Sequence, residues 1–134
     1  MISQRTIEAA VQRIVQAAHA PIKVILFGSY AAGNARDDSD LDVLVIEAEI
    51  PSPADEYSRL RSAIGPIGVG VDLLLYDQHE VERRRHWQTS PVHDAIRKGK
   101  VLYEVSVQTP LLAALASVAQ ATDSLAPSPP AGEG

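Results

Sequence analysis

Two aspartates separated by a single residue, Asp40 and Asp42, lead into the apolar run Val43–Ile46. In an extended strand, residues i and i+2 point to the same face. The spacing therefore projects two carboxylates side by side from a segment otherwise suited to burial. Like charges placed this way repel unless a cation lies between them. Hard oxygen donors of this kind suit Mg²⁺, which proteins hold through one or two carboxylates together with substrate phosphates. Upstream, separated from Asp40 by ten residues, Gly28-Ser29 closes another apolar run, Ile22–Phe27. A glycine there lets the backbone turn sharply and approach a ligand closely. Ser29 offers a hydroxyl where Tyr30-Ala31-Ala32 can begin a helical turn, and backbone N–H groups at such a start attract phosphate.

A third acid, Asp72, interrupts the apolar stretch G-V-G-V-D-L-L-L-Y, which reads as a strand over Val69–Tyr76. A carboxylate inside such a run is rarely buried without a partner. Either it faces water at a sheet edge, or it stands beside Asp40 and Asp42 as a third metal-binding group. Asp37 and Asp38 read as turn formers in the polar connection between the first two strands, because only Asp40 and Asp42 carry strand alternation.

Gly28-Ser29, ten intervening residues and Asp40-x-Asp42 together resemble the signature of the DNA polymerase β-like nucleotidyltransferase superfamily, and the short chain resembles its minimal nucleotidyltransferase (MNT) branch. The resemblance covers about residues 5–104. It implies a mixed α/β (α+β) fold: a small, twisted, partly antiparallel sheet with helices packed on one face. It implies that Asp40 and Asp42 bridge two Mg²⁺ ions, and that Asp72 is a third catalytic and metal-binding carboxylate, holding the ion that lowers the pKa of the attacking hydroxyl. It implies that Gly28 and Ser29 bind the triphosphate of ATP, or of another NTP, and that AMP is transferred to a hydroxyl. Short MNT proteins are commonly antitoxins paired with a HEPN ribonuclease toxin, which they silence by attaching AMP to a toxin tyrosine. The resemblance thus implies a protein adenylyltransferase acting within a hetero-oligomer. Two other functions stay open: an aminoglycoside-like nucleotidyltransferase acting on a small molecule, and a non-catalytic antitoxin that binds its partner by contact alone. One position departs from the branch. Ala32 stands where an arginine is frequent, which leaves Arg36 as the nearest source of positive charge in the sequence.

Composition narrows the setting. The chain has 134 residues, 46% hydrophobic and 22% charged, with a net charge of −5. That length suits one domain with a real core. The acidic balance argues against a general nucleic-acid coat protein and predicts no direct DNA binding. There is no cysteine, which excludes disulfides and thiolate zinc sites. No apolar run approaches the about 20 residues that span a bilayer. Arg5, Glu8 and Arg13 break any leader-like apolar stretch, so a cytoplasmic location is the default.

The supporting elements follow from periodicity. Ile7, Ala10, Val11, Ile14, Val15 and Ala18 predict an amphipathic helix over residues 3–18, capped by Ser3. Residues 54–64 predict a second, with Tyr57, Leu60 and Ile64 inward and Asp55, Glu56, Arg59 and Arg61 outward. Asp77 caps a third, running to about Gln88, with Glu80 completing a capping box and pairing with Arg84. Pro91–Lys98 is a short helix ended by Gly99, and Lys100–Glu104 a last strand. The nucleotidyltransferase domain is expected over residues 1–121, including an Ala/Leu helix at about 110–121. A disordered tail is expected over 122–134, ending A-P-S-P-P-A-G-E-G.

Overall fold

The computed structural model describes residues 1–87 and 89–105; the helix expected at 110–121 and the tail at 122–134 lie outside the described residues. The elements run α1 (Gln4–Ala17), β1 (Pro21–Phe27), α2 (Gly28–Ala32), β2 (Leu41–Glu47), α3 (Pro53–Ile64), β3 (Val71–Asp77), α4 (Gln78–Arg84), α5 (Pro91–Lys98) and β4 (Lys100–Glu104). The strands form one mixed sheet in the order β3-β2-β1-β4. Strand β1 is antiparallel to both β2 and β4, while β2 and β3 are parallel. Parallel neighbours need a crossover, and α3 supplies it.

Alternation along β2 decides how the sheet is covered. Leu41, Val43 and Val45 join Val24, Leu26 and Leu73 on one face, packed against Ile7, Val11 and Ile14 of α1 and Leu60 and Ile64 of α3. Leu44 and Ile46 join Ile25 on the other face, packed against Val81 of α4 and Val92 and Ala95 of α5. Helices therefore cover both faces, which corrects the expectation of one. The reason is visible in the sequence: a strand apolar at nearly every position is a strand buried on both sides. Burying each such aliphatic side chain stabilises the fold by about 1.5–3 kcal/mol.

The helices begin and end for local reasons. The Ser3 hydroxyl accepts the Thr6 N–H at 3.1 Å and starts α1, a cap worth about 1 kcal/mol. Asp77 accepts the Glu80 N–H at 2.9 Å and starts α4. The expected capping box is only half made, because the Glu80 carboxylate pairs with Arg83 at 2.6 Å and Arg84 at 2.9 Å instead. Helix α4 ends at Arg84 rather than near Gln88; the Arg84 guanidinium lies over the rings of Tyr76 and Trp87. Ser90 caps α5 through the Val92 N–H at 3.2 Å.

In α3 the structure reverses one inside–outside assignment. Glu56 is buried and Tyr57 is exposed. Glu56 Oε2 accepts the His19 N–H at 2.8 Å, and its other oxygen pairs with Arg59. The free His19 N–H just past the end of α1 thus draws a carboxylate into a place that periodicity assigns to an apolar side chain. No helix among the described residues is long and apolar enough to cross a membrane.

Candidate active site

The candidate residues converge at one end of the sheet because of strand direction. Strand β1 ends where its antiparallel neighbour β2 begins, and β3 begins beside β2 because the two are parallel. Phe27 is thus opposite Asp42, and Asp42 is opposite Asp72. Leu41 fixes the entry to β2 through an N–H donated to the Gly70 carbonyl at 2.8 Å. Asp42 is half-buried on the face shared with Leu44, while Asp40 and Asp72 are exposed.

Two glycines leave room for the carboxylates. Gly28 has φ of 73°, a conformation that disfavours any side chain, and a Cβ there would run into the Asp42 carboxylate. A Cβ on Gly70 would stand 2.5 Å from Asp40 Oδ1. Gly28 opens α2, so Ser29 sits in its first turn, as the sequence predicts.

Electrostatics single out Asp42. Its carboxyl titrates above the ordinary carboxylate range. Burial is the largest cause, followed by the negative charges of Asp72 and Asp40 and a hydrogen bond shared with Asp72. Among the described residues, no lysine, arginine or histidine pairs with any of the three. Nor do any three His, Cys, Asp or Glu among them form a closed ligand cage. Asp42 and Asp72 meet, whereas Asp40 leans toward Gly70. The donor set is nonetheless the right chemistry for a hard divalent cation: carboxylate oxygens only, mutually repelling, and open to solvent on one side.

Beside the carboxylates lies an open cleft of about 610 Å³, within the range of small-molecule sites. Phe27, Gly28, Ser29, Ala32 and Asn34 form one wall; Thr89, Pro91, Asp94 and Lys98 form the other. Gly28 thus borders both the Asp42 carboxylate and the cleft, and Ser29 lines the cleft beside it. Arg36 does not line it; its backbone N–H closes a turn onto the Ser39 hydroxyl at 2.8 Å. Asp37 and Asp38 lie in that same loop as expected, and Asp37 pairs with the N-terminal amine at 2.7 Å. The second wall was missed by sequence reasoning. Its only signal was the polar pair Asp94 and Lys98, four residues apart and so on one face of a short helix.

The polymerase beta nucleotidyltransferase profile matches residues 9–108. Among curated proteins, one provisionally named protein adenylyltransferase MJ0604, from Methanocaldococcus jannaschii, is 27% identical over 82 residues, or 60% of this chain and 77% of its own. The protein adenylyltransferase MntA of Thermococcus cleftensis is 40% identical over 50 residues, 37% of this chain and 50% of its own. Among solved structures, a chain provisionally described as a nucleotidyltransferase from Sulfolobus solfataricus superposes with a TM-score of 0.52 at 19% identity, covering 75% of this chain and 78% of that one. A chain of a toxin–antitoxin structure with AMP-PNP superposes with a TM-score of 0.51 at 22% identity, covering 74% of each. At such identities the two structures speak for the fold.

Proposed function

The chain belongs to the polymerase β nucleotidyltransferase family, and on that premise we propose that it transfers AMP from ATP to a tyrosine hydroxyl of a HEPN-type toxin and so acts as its antitoxin. One observation carries the reading to these residues: Asp42 stands opposite Asp72 on adjacent strands, with Gly28 against the Asp42 carboxylate. The choice of a protein acceptor is supported by relatives named as protein adenylyltransferases. The toxin partner is supported by the toxin–antitoxin neighbour, and ATP by the AMP-PNP in that structure.

In this mechanism Asp40, Asp42 and Asp72 would hold Mg²⁺, which when bound neutralises phosphate charge and lowers the pKa of an attacking hydroxyl. Gly28 lets the backbone come close to the triphosphate, and the Ser29 hydroxyl and N–H hold its oxygens. The cleft orients the nucleotide so that its α-phosphate faces the acid cluster. The acceptor oxygen forms a bond to that phosphorus as the bond to the leaving pyrophosphate breaks, and the hydroxyl proton passes to solvent. Catalysis is mainly positioning and charge complementarity.

Asp72→Asn tests this. Asp40 and Asp42 remain, so ATP binding persists, somewhat weakened, while transfer falls by orders of magnitude. Co-expressed with its toxin, the variant should bind but not protect, and mass spectrometry of the toxin should lose the gain of ~329 Da expected for one AMP. Protection equal to wild type would leave an antitoxin that works by contact alone.

A further inference from the structure

We propose that Lys98 binds the phosphates of the nucleotide from the far wall of the cleft, as a substrate-binding cation on the last turn of α5. The proposal rests on the nucleotidyl-transfer reading and adds to it a residue that lies far from the Gly-Ser and Asp-x-Asp motifs in sequence.

Three observations converge on this side chain. The first is position. Strands β1 and β4 are antiparallel with Leu26 opposite Lys100, so the end of α5 that leads into β4 lies at the end of β1 that leads into α2, and Lys98 and Gly28 line the same cleft. Gly99 holds that placement, because a Cβ there would stand 2.9 Å from the Leu26 carbonyl oxygen. The end of α5 is thereby pressed against the end of β1. The second is charge. Lys98 lines the cleft with Gly28, Ser29 and Ala32, and it is the cation among the described lining residues. It enters no ion pair among the described residues. The third is need. ATP is polyanionic, the chain carries a net charge of −5, and Gly28 of the cleft wall lies against the carboxylate of Asp42, which Asp40 and Asp72 accompany. Such a field repels the substrate unless a local cation offsets it. A lysine ammonium on a flexible stem serves phosphate as a point charge. Asp94 lines the same wall one turn earlier; its charge confines the phosphates to the Lys98 end and leaves the Thr89–Pro91 end to the nucleoside.

The test is calorimetric binding of MgATP, MgADP and adenosine to wild type, Lys98→Met and Lys98→Arg. Lys98 is exposed, so Lys98→Met should melt with the wild type; Lys98→Gln is the second variant if it does not. Loss of one charged phosphate contact should weaken MgATP about 10- to 100-fold, MgADP less, and adenosine by under about twofold. Lys98→Arg should recover most of the loss, and raising the salt concentration should narrow the gap between wild type and Lys98→Met. Equal MgATP affinity in Lys98→Met and wild type would overturn the assignment, as would an equal loss for adenosine and MgATP. A wild-type chain that binds no MgATP would instead overturn the nucleotidyl-transfer reading, and this proposal with it.

Discussion

Strand β2 carries acidic side chains at both ends, Asp40 and Asp42 where it begins and Glu47 where it stops, and the two ends treat them in opposite ways. Glu47 is completely buried and accepts the Ala20 N–H at 3.0 Å. Its second oxygen, Oε2, has no protein partner among the described residues. Glu56 joins it from α3, taking the His19 N–H at 2.8 Å and pairing with Arg59, whose Nε donates to the Ala17 carbonyl at 3.0 Å. These carboxylates close the end of α1 and the turn into β1. At the other end, Asp42 gains charge repulsion from Asp72 and Asp40 and no cationic partner among the described residues. A buried carboxylate given backbone donors and an arginine is part of the scaffold. Carboxylates gathered together, half-open to solvent and lacking such donors, are held against their own electrostatics by the fold, and that is how sites for cationic ligands are built.

The contrast is broken most severely at the open end. Asp42→Asn should lower nucleotidyl transfer by on the order of 10³-fold or more, since it removes transition-state charge stabilisation. The fold should remain intact by circular dichroism, and titration with Mg²⁺ should show weakened binding. Full activity in this variant, or its unfolding, would dissolve the distinction between the two ends.

The two ends also differ in how far the sequence reveals them. Gly28-Ser29 and Asp40-x-Asp42 are readable because the turn, the strand start and the alternation are all local. Asp72 is conspicuous because a charge inside V-D-L-L-L-Y breaks an apolar run, but its place beside Asp42 is a matter of β2–β3 register. Glu56 is the instructive failure. A helical wheel of α3 sets Tyr57 inward and Glu56 outward, and the structure does the reverse. What overrides periodicity is a backbone N–H in the turn after α1, at His19, together with the Arg59 guanidinium, and no apolar pattern within α3 can announce that donor. The second wall of the cleft has the same cause: Thr89, Asp94 and Lys98 reach Gly28 only because α5 packs across the end of β1. Coverage of both sheet faces, by contrast, had a local signal in the apolar run Val43–Ile46 of β2, although the family resemblance implies one covered face.

At the closed end the expected effect is on stability. Glu56→Ala leaves the His19 N–H without its acceptor and Arg59 without its carboxylate. The loss should be about 2–3 kcal/mol, lower than for a fully buried ion pair because Arg59 is half-exposed. Urea denaturation measures it through a lower midpoint at unchanged slope. Transfer activity per folded molecule should match the wild type. A variant that keeps its stability would show that the buried carboxylate is incidental to α1, and one that folds normally but loses activity would carry the site's influence to the far end of β2.

The smallest effect, and the most specific to the comparison, is in the pH dependence of stability. In the unfolded chain Asp42 titrates near its ordinary 3.8, and in the fold it titrates higher, mainly through burial and then through the charges of Asp72 and Asp40. The sign follows. Below the unfolded value both states hold the proton and Asp42 has no influence. As pH rises through the interval between the two values, the unfolded chain releases its proton first, so stability falls with pH across that interval. Above the folded value the full cost of an ionised Asp42 is present. Asp42→Asn removes that cost without removing the polar side chain, so without added metal it should be slightly more stable than wild type at neutral pH. The advantage should shrink as pH falls through the raised value and vanish below 3.8. Adding Mg²⁺ at neutral pH should raise the melting temperature of wild type more than that of Asp42→Asn, because a cation among the carboxylates offsets the same repulsion. Glu56→Ala should instead be less stable than wild type at neutral pH and gain from Mg²⁺ as wild type does. If Asp42→Asn proves less stable than wild type at neutral pH, the Asp42 carboxylate is a structural group like Glu56, and the two ends of β2 are alike after all.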